Sequence, residues 1–305
     1  MEFPARGITL VNRNLSRGAL ILALVMLAPL VRLYAQKSYK SFLERTPADL
    51  AKQVPELKHL APATNESLLP SILEGVGKAV ADFYDNLPNT TCTERFISAV
   101  DTPGETRALY YDTTFNYVAL VKPGEDKTRL EEFRTGPKGE KIQLDSQATV
   151  ITIGFVSMTA HFHPAYQADS RFRYLGRSAM EGRNSYVVVF AQRPEVARRT
   201  TLAVFKDRTA TSYVQGLAWI DPESFRILRL RTDIQQPDDT VGLFRETTEI
   251  EYFEAAFRHE GKTLWLPRQV NVSGQLNNLT FRNRHHYSDY RLFVVETNDS
   301  GFPPS

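Results

Sequence analysis

The residue types able to do chemistry are thinly spread along this chain. His161-Phe-His163 puts two imidazoles on one side of an extended segment, a spacing that zinc sites use. His285-His286 offers two more, but adjacent residues on a strand point to opposite faces, so only one of them could converge on a metal. No third ligand of Glu-x-x-His or Cys type accompanies them, so packing and capping roles are expected for these histidines and no metal is assigned. A metal-dependent hydrolase built on His161 and His163 stays open as the weakest reading. There is no Gly-x-Ser-x-Gly, no phosphate-cradling glycine loop and no His-Glu-x-x-His, so no catalytic residue and no cofactor are assigned. The carboxylate pairs Glu131-Glu132 and Asp238-Asp239 stand in charged, turn-adjacent stretches and read as solvated. Cys92 is the one cysteine; it forbids an internal disulfide and reads as a small packing residue.

The start of the chain does carry a signature. Arg6, Arg13 and Arg17 precede an apolar run from Gly18 to Val31, and Leu33-Tyr34-Ala35 follows before Gln36. A basic region, a short apolar core and a small residue at the end form the layout of an export signal. The run is too short for a membrane span, which needs roughly 20 residues. Residues 1–35 are therefore expected to be a signal peptide, with an uncleaved anchor as the alternative; either places the remainder in the periplasm or secreted. The chain has 37 Lys+Arg against 35 Asp+Glu. Taking away Arg6, Arg13, Arg17, Arg32 and Glu2 leaves 33 basic and 34 acidic residues. A near-neutral remainder argues against a nucleic-acid partner.

Other elements must position whatever site exists. After a flexible lead (36–46), Thr46-Pro47-Ala48-Asp49 reads as an N-cap with proline at the first helical position. A second helix is expected over about 68–87: Leu69, Ile72, Leu73, Val76, Val80, Phe83, Tyr84 and Leu87 make one apolar stripe, and Ser71 with Glu74 has capping-box spacing. From Cys92 the period changes to two. Phe244, Thr248, Ile250 and Tyr252 alternate with Arg245, Thr247, Glu249 and Glu251, a strand with one wet face. Arg229 and Arg231 should meet Glu246, Glu249 and Glu251 in a cross-strand ion-pair ladder, with an anion-binding strip as the alternative. Tyr186-Val-Val-Val-Phe190 is apolar on both faces and should be central. Gly154 to Pro164 should cross the sheet as a helical turn or loop, and residues 193–214 read as an excursion between strands. Turn signals at Pro103-Gly104, Pro123-Gly124, Gly182 to Asn184, Asp221-Pro222 and Gly261-Lys262 imply antiparallel hairpins.

The expected architecture is α+β: one strongly curved antiparallel sheet, a half-barrel of about ten strands, with N-terminal helices packed on it. Residues 47–296 form this single domain and 297–305 a tail. An aromatic-lined sheet face roofed by an amphipathic helix could be a hydrophobic groove or simply the core. The candidate ligand-lining residues are Tyr186, Val188, Phe190, Trp219, Leu228 and Leu230, with Phe83 and Tyr84 from the roof. Trp219 could instead sit on the outer face, beneath the N-terminal helices.

The segment from Gln215 through Trp219, Asp221 and Pro222 to Arg229-Leu230 resembles the G-x-x-W-I-D-P-x-x-x-x-I-x-R hairpin of exported bacterial proteins with the lipoprotein-carrier, or outer-membrane lipoprotein-sorting, fold. The resemblance implies a half-open antiparallel barrel closed by helices and able to hold acyl chains. Further pieces are similar to an uncharacterised family of exported bacterial proteins: Pro55 to Pro62, Asn86 to Glu94, Phe172 to Arg177, Phe190 to Pro194, Leu264 to Gln269 and Phe281 to Tyr290. That family tends to have Ser at Cys92, and it brings no assigned activity. The leading expectation is thus an exported, non-enzymatic protein that binds a lipid, acyl chain or lipoprotein between sheet and helix. A protein-interaction or envelope-sensing module is the alternative. The partners implied are a hydrophobic ligand or an envelope protein, with any membrane contact peripheral.

Overall fold

The computed structural model describes residues 6–10 and 40–294, apart from 107, 123–128, 141, 143–149, 153, 181, 199–200 and 206–207. The expected export signal (save 6–10), the start of the lead at 36–39, the Pro123-Gly124 turn and the tail at 297–305 lie outside the described residues. Strand β1, Arg6–Leu10, is followed by helix α1 (Pro47–Ala51), β2 (Ala61–Pro62), helix α2 (Leu69–Asn86), β3 (Thr90–Asp101), β4 (Leu109–Lys122), β5 (Arg129–Thr135) and β6 (Val150–Thr152). Helix α3 (Pro164–Gln167) then leads to β7 (Ser170–Met180), β8 (Arg183–Gln192), β9 (Thr201–Phe205), β10 (Arg208–Ser212) and β11 (Val214–Ile220). The chain closes with β12 (Ile227–Ile234), β13 (Leu243–Phe257), β14 (Lys262–Leu276) and β15 (Leu279–Leu292).

Eleven strands make one open antiparallel sheet in the order β2-β7-β8-β11-β12-β13-β14-β15-β3-β4-β5. A second sheet, β10-β9-β1-β6, is built from the excursion between β8 and β11 and from β1, which runs parallel to β9. The large sheet cannot be flat. Nine strand intervals separate β7 from β5, which at about 4.8 Å each would span over 40 Å. Yet the crossing segment touches both ends within a few residues. Val156 and Ser157 donate backbone N–H groups to Glu132 on β5, while Phe162 packs on Phe172 of β7 and Phe190 of β8 at 5.4 Å between ring centroids. Residues 157–162 are a 3-10 helix advancing roughly 2 Å per residue, so the sheet must curl around it.

The two faces carry different cores. On the concave face α2 contributes Ile72, Val76, Val80 and Tyr84 to one large cluster with inward residues of most strands. On the convex face Phe42, Leu50, Val54 and Leu57 pack on Leu175, Val187, Val189, Leu217 and Trp219. The described part of the lead is therefore folded onto the sheet, through a 3-10 turn at Phe42–Glu44, and the helices divide between opposite faces. Strand β8 shows why its run is apolar throughout: Val188 and Phe190 enter one core, Val187 and Val189 the other.

Local signals work where they act alone. Thr46 caps α1, its side chain accepting from the Asp49 N–H at 3.1 Å. The capping box at Ser71 is corrected: α2 begins at Leu69 with Pro70 in its first turn, and the Ser71 hydroxyl bonds back to the Leu68 carbonyl. The ladder forms through Glu249, whereas Glu251 pairs with Arg268 and Glu246 is buried. Arg231 binds Glu249 at 2.9 Å, and Arg229 reaches Glu249 at 3.2 Å and Glu56, outside the sheet, at 2.7 Å.

Candidate ligand-binding groove

Where α2 leaves the curled sheet, the concave core is not filled. A cavity of about 340 Å³ lies between Ala79, Val80 and Phe83 of α2 and Ile227, Tyr252, Leu264 and Trp265 of the sheet. Val156 and Thr159 of the crossing segment also line it, and Asp82, Asn86, Ser224 and Arg226 add polar groups. Apolar walls with a few polar groups are the ordinary make-up of a small-molecule site. The Trp265 indole N–H donates to the Ile227 carbonyl at 2.6 Å, which fixes its ring, and the Arg226 guanidinium lies 5.5 Å from that ring's centroid.

The turn from Asp221 to Arg226 borders the groove under strain. The Asp221 carboxylate accepts from the N–H groups of Glu223 (3.0 Å) and Ser224 (2.8 Å). Phe225 then takes φ 56°, a left-handed conformation costly for a bulky residue. Its ring is held by α2 at Gly75, where any Cβ would stand 2.5 Å from it. Gly75→Val is expected to cost about 1–3 kcal/mol through overpacking, since valine recovers little helix propensity. The displaced turn should also quicken uptake of an apolar probe; denaturant unfolding and stopped-flow binding check the two effects.

A buried polar knot holds the crossing segment beside the groove. Glu132 accepts from the N–H groups of Val156 (2.9 Å) and Ser157 (3.0 Å) and from the Tyr117 hydroxyl. Tyr84 of α2 donates to the Val156 carbonyl at 3.0 Å. Next to it Glu94 is fully buried and receives the Arg134 guanidinium at 2.7 Å, His285 Nδ1 at 2.7 Å and the Tyr287 hydroxyl at 3.0 Å. Burial opposes ionisation of Glu94, but Arg134 and His285 overcome it and hold the carboxyl at about 2. Burial pushes the phenols of Tyr117 and Tyr287 well above their ordinary range, and likewise raises the Cys92 thiol. Groups this deep, locked on one another, serve as anchors. Contrary to the solvated position expected from its charged stretch, Glu132 is buried at 6% exposure, whereas its neighbour Glu131 pairs with Lys122 at the surface.

The sequence-derived candidates do not form one wall. Phe83 lines the groove. Tyr84, Val188, Phe190 and Leu230 belong to the same concave cluster as buried members, and Tyr186 packs against it. Trp219 lies on the convex face, fully buried under Phe42, Leu50 and Leu57, with Arg229 5.7 Å over its ring. Leu228 also faces outward, into a cleft shared with Arg229 and Glu56. The reason is a bulge: Trp219 pairs with Arg229 but Ile220 pairs with Ile227, so Ile227, not Leu228, faces the core with Leu230. Trp265, Tyr252 and Leu264 were the missed lining residues, and the alternation of Leu264 and Leu266 about Trp265 was their available signal. His161 packs on Phe190 at 5.3 Å, and His163 accepts from the Ala165 N–H at the start of α3.

No family model matches this chain, and no curated protein sequence matches it. Solved structures do. The chain is similar to a Vibrio parahaemolyticus domain described as an outer membrane lipoprotein-sorting protein, at 11% identity and a TM-score of 0.38, over 76% of this chain and 93% of that one. It is also similar to a DUF1329 family protein from Desulfovibrio piger, at 9% identity and a TM-score of 0.37, over 76% of this chain and 95% of that one. Both likenesses are distant. No helix among the described residues is long and apolar enough to cross a membrane.

Proposed function

We propose that the protein is an exported, non-enzymatic binding protein for an elongated apolar ligand, an acyl chain free or carried by a lipid or lipoprotein. The ligand lies between α2 and the concave face of the sheet. One observation carries this reading: an opening of about 340 Å³ beside the concave core, walled by Val80, Phe83, Ile227, Tyr252, Leu264 and Trp265. Covering those walls removes apolar surface from water at roughly 25 cal/mol per Å², which is the driving force for binding. Export rests on the basic and apolar layout of residues 6–35, and cleavage near Gln36 would take β1 out of the second sheet.

Protein purified without detergent from an envelope fraction should start near Gln36 and release a stoichiometric acyl-bearing molecule on organic extraction, seen by mass spectrometry. Full-length chain in the cytoplasm would end the export reading. An extract free of acyl chains, from protein that also takes up none, would end the binding reading.

A further inference from the structure

The groove has a neighbour across the rim of the sheet. A second cavity, of about 490 Å³, opens on the convex side at the same strand ends, and Tyr252 and Trp265 line both. Tyr252 and Trp265 thus stand between an apolar groove and a polar cleft. The charged contact across that boundary is weak. Arg226 lines the groove and Glu254 the cleft; they stand 3.8 Å apart, with side chains 41% and 61% exposed. An exposed pair at that distance contributes little and parts readily.

The charges of the cleft are unevenly committed. Arg229 is held by Glu56 at 2.7 Å and Glu249 at 3.2 Å, and Arg268 by Glu251 at 3.3 Å. Arg183 at the start of β8 is exposed and has no carboxylate within ion-pair distance among the described residues. It also faces Asp221, whose carboxylate is occupied by the N–H groups of its own turn. Among the described residues lining the cleft, the arginine without a carboxylate at ion-pair distance is Arg183, with Asp221 nearby, and the loosely held carboxylate is Glu254, beside the Trp265 ring.

We propose that this cleft is a headgroup subsite, and that the ligand is a single-chain amphiphile with a zwitterionic headgroup. The proposal rests on the apolar-groove reading and extends it. The chain lies in the groove, the headgroup crosses the rim over Trp265, its anionic group meets Arg183, and its amine meets Glu254 and the indole face. A purely anionic headgroup would meet Glu254 with only the loosely placed Arg226 to offset it, and a purely cationic one would meet Arg183.

The test titrates the whole mature protein with three monomeric probes sharing one acyl chain: a lysophosphatidylethanolamine, a lysophosphatidylglycerol and a monoacylglycerol. The zwitterionic probe should bind about tenfold tighter than the other two, the sum of two partly exposed charge contacts. Arg183→Gln with Glu254→Gln should abolish that preference, so that the three probes bind alike. Equal affinities in the wild type, or tightest binding of the anionic probe, would overturn the subsite and leave the groove standing. Binding of none of the three would overturn both.

Discussion

Replacing Trp219 with alanine should cost roughly 3–5 kcal/mol in denaturant unfolding and leave the affinity for an apolar probe unchanged. The indole is fully buried on the convex face, sealed by Phe42, Leu50, Val54 and Leu57. Removing it deletes a large buried surface and leaves a cavity that two layers of rigid backbone cannot close. Trp219 also supports Arg229, whose guanidinium joins Glu56 of the N-terminal segment to Glu249 of β13. The loss should therefore loosen residues 40–60 first, visible as early proteolysis there. A cost of only 1–2 kcal/mol together with weakened probe binding would put Trp219 at the ligand instead.

The second large effect lies in the buried knot. Arg134→Met leaves the Glu94 carboxylate without its counter-charge among Phe96, Tyr117, His285 and Tyr287, and breaking a buried pair from one side costs roughly 3–5 kcal/mol. The same pair sets an acid limit. Glu94 is held at about 2 against an ordinary 4.5, so the folded state binds this proton more weakly than the unfolded chain. The stabilisation is complete above about pH 4.5 and is lost as pH falls toward 2, amounting to about 3 kcal/mol. Unfolding free energies at pH 6 and pH 3 should differ by about 2 kcal/mol more in the wild type than in Glu94→Gln, the remainder being lost below pH 3. An equal acid dependence in the two proteins would show that Glu94 carries no such load.

How far the sequence reaches depends on the distance over which a signal acts. Strand alternation and turn chemistry are local, and they located the long strands, the apolar-both-sides β8 and the crossing segment. Bulges defeat them. One extra residue at Phe244 turns that side chain outward, so Leu243 and Glu246 are buried in its place, as Ile227 replaces Leu228 one strand away. The pairing of β9, β10 and β1 had no alternation strong enough to announce it. The polar knot was invisible for a different reason. Glu94 meets His285 across 191 positions, and nothing local tells a buried carboxylate from a solvated one until the sheet has curled. Trp219 sits in a strand buried on both faces, where periodicity cannot say which face holds the ligand and which the packing.

The central claim is most directly tested by the fluorescence of Trp265, the one indole left in a Trp219→Phe variant of this two-tryptophan chain. Titration with a neutral monoacylglycerol should shift its emission to the blue along a saturable curve, and Ala79→Phe, which fills the groove from α2, should abolish the shift. An emission that stays unmoved by ligand in the folded variant, or a shift that survives Ala79→Phe, would contradict a ligand groove between α2 and the sheet.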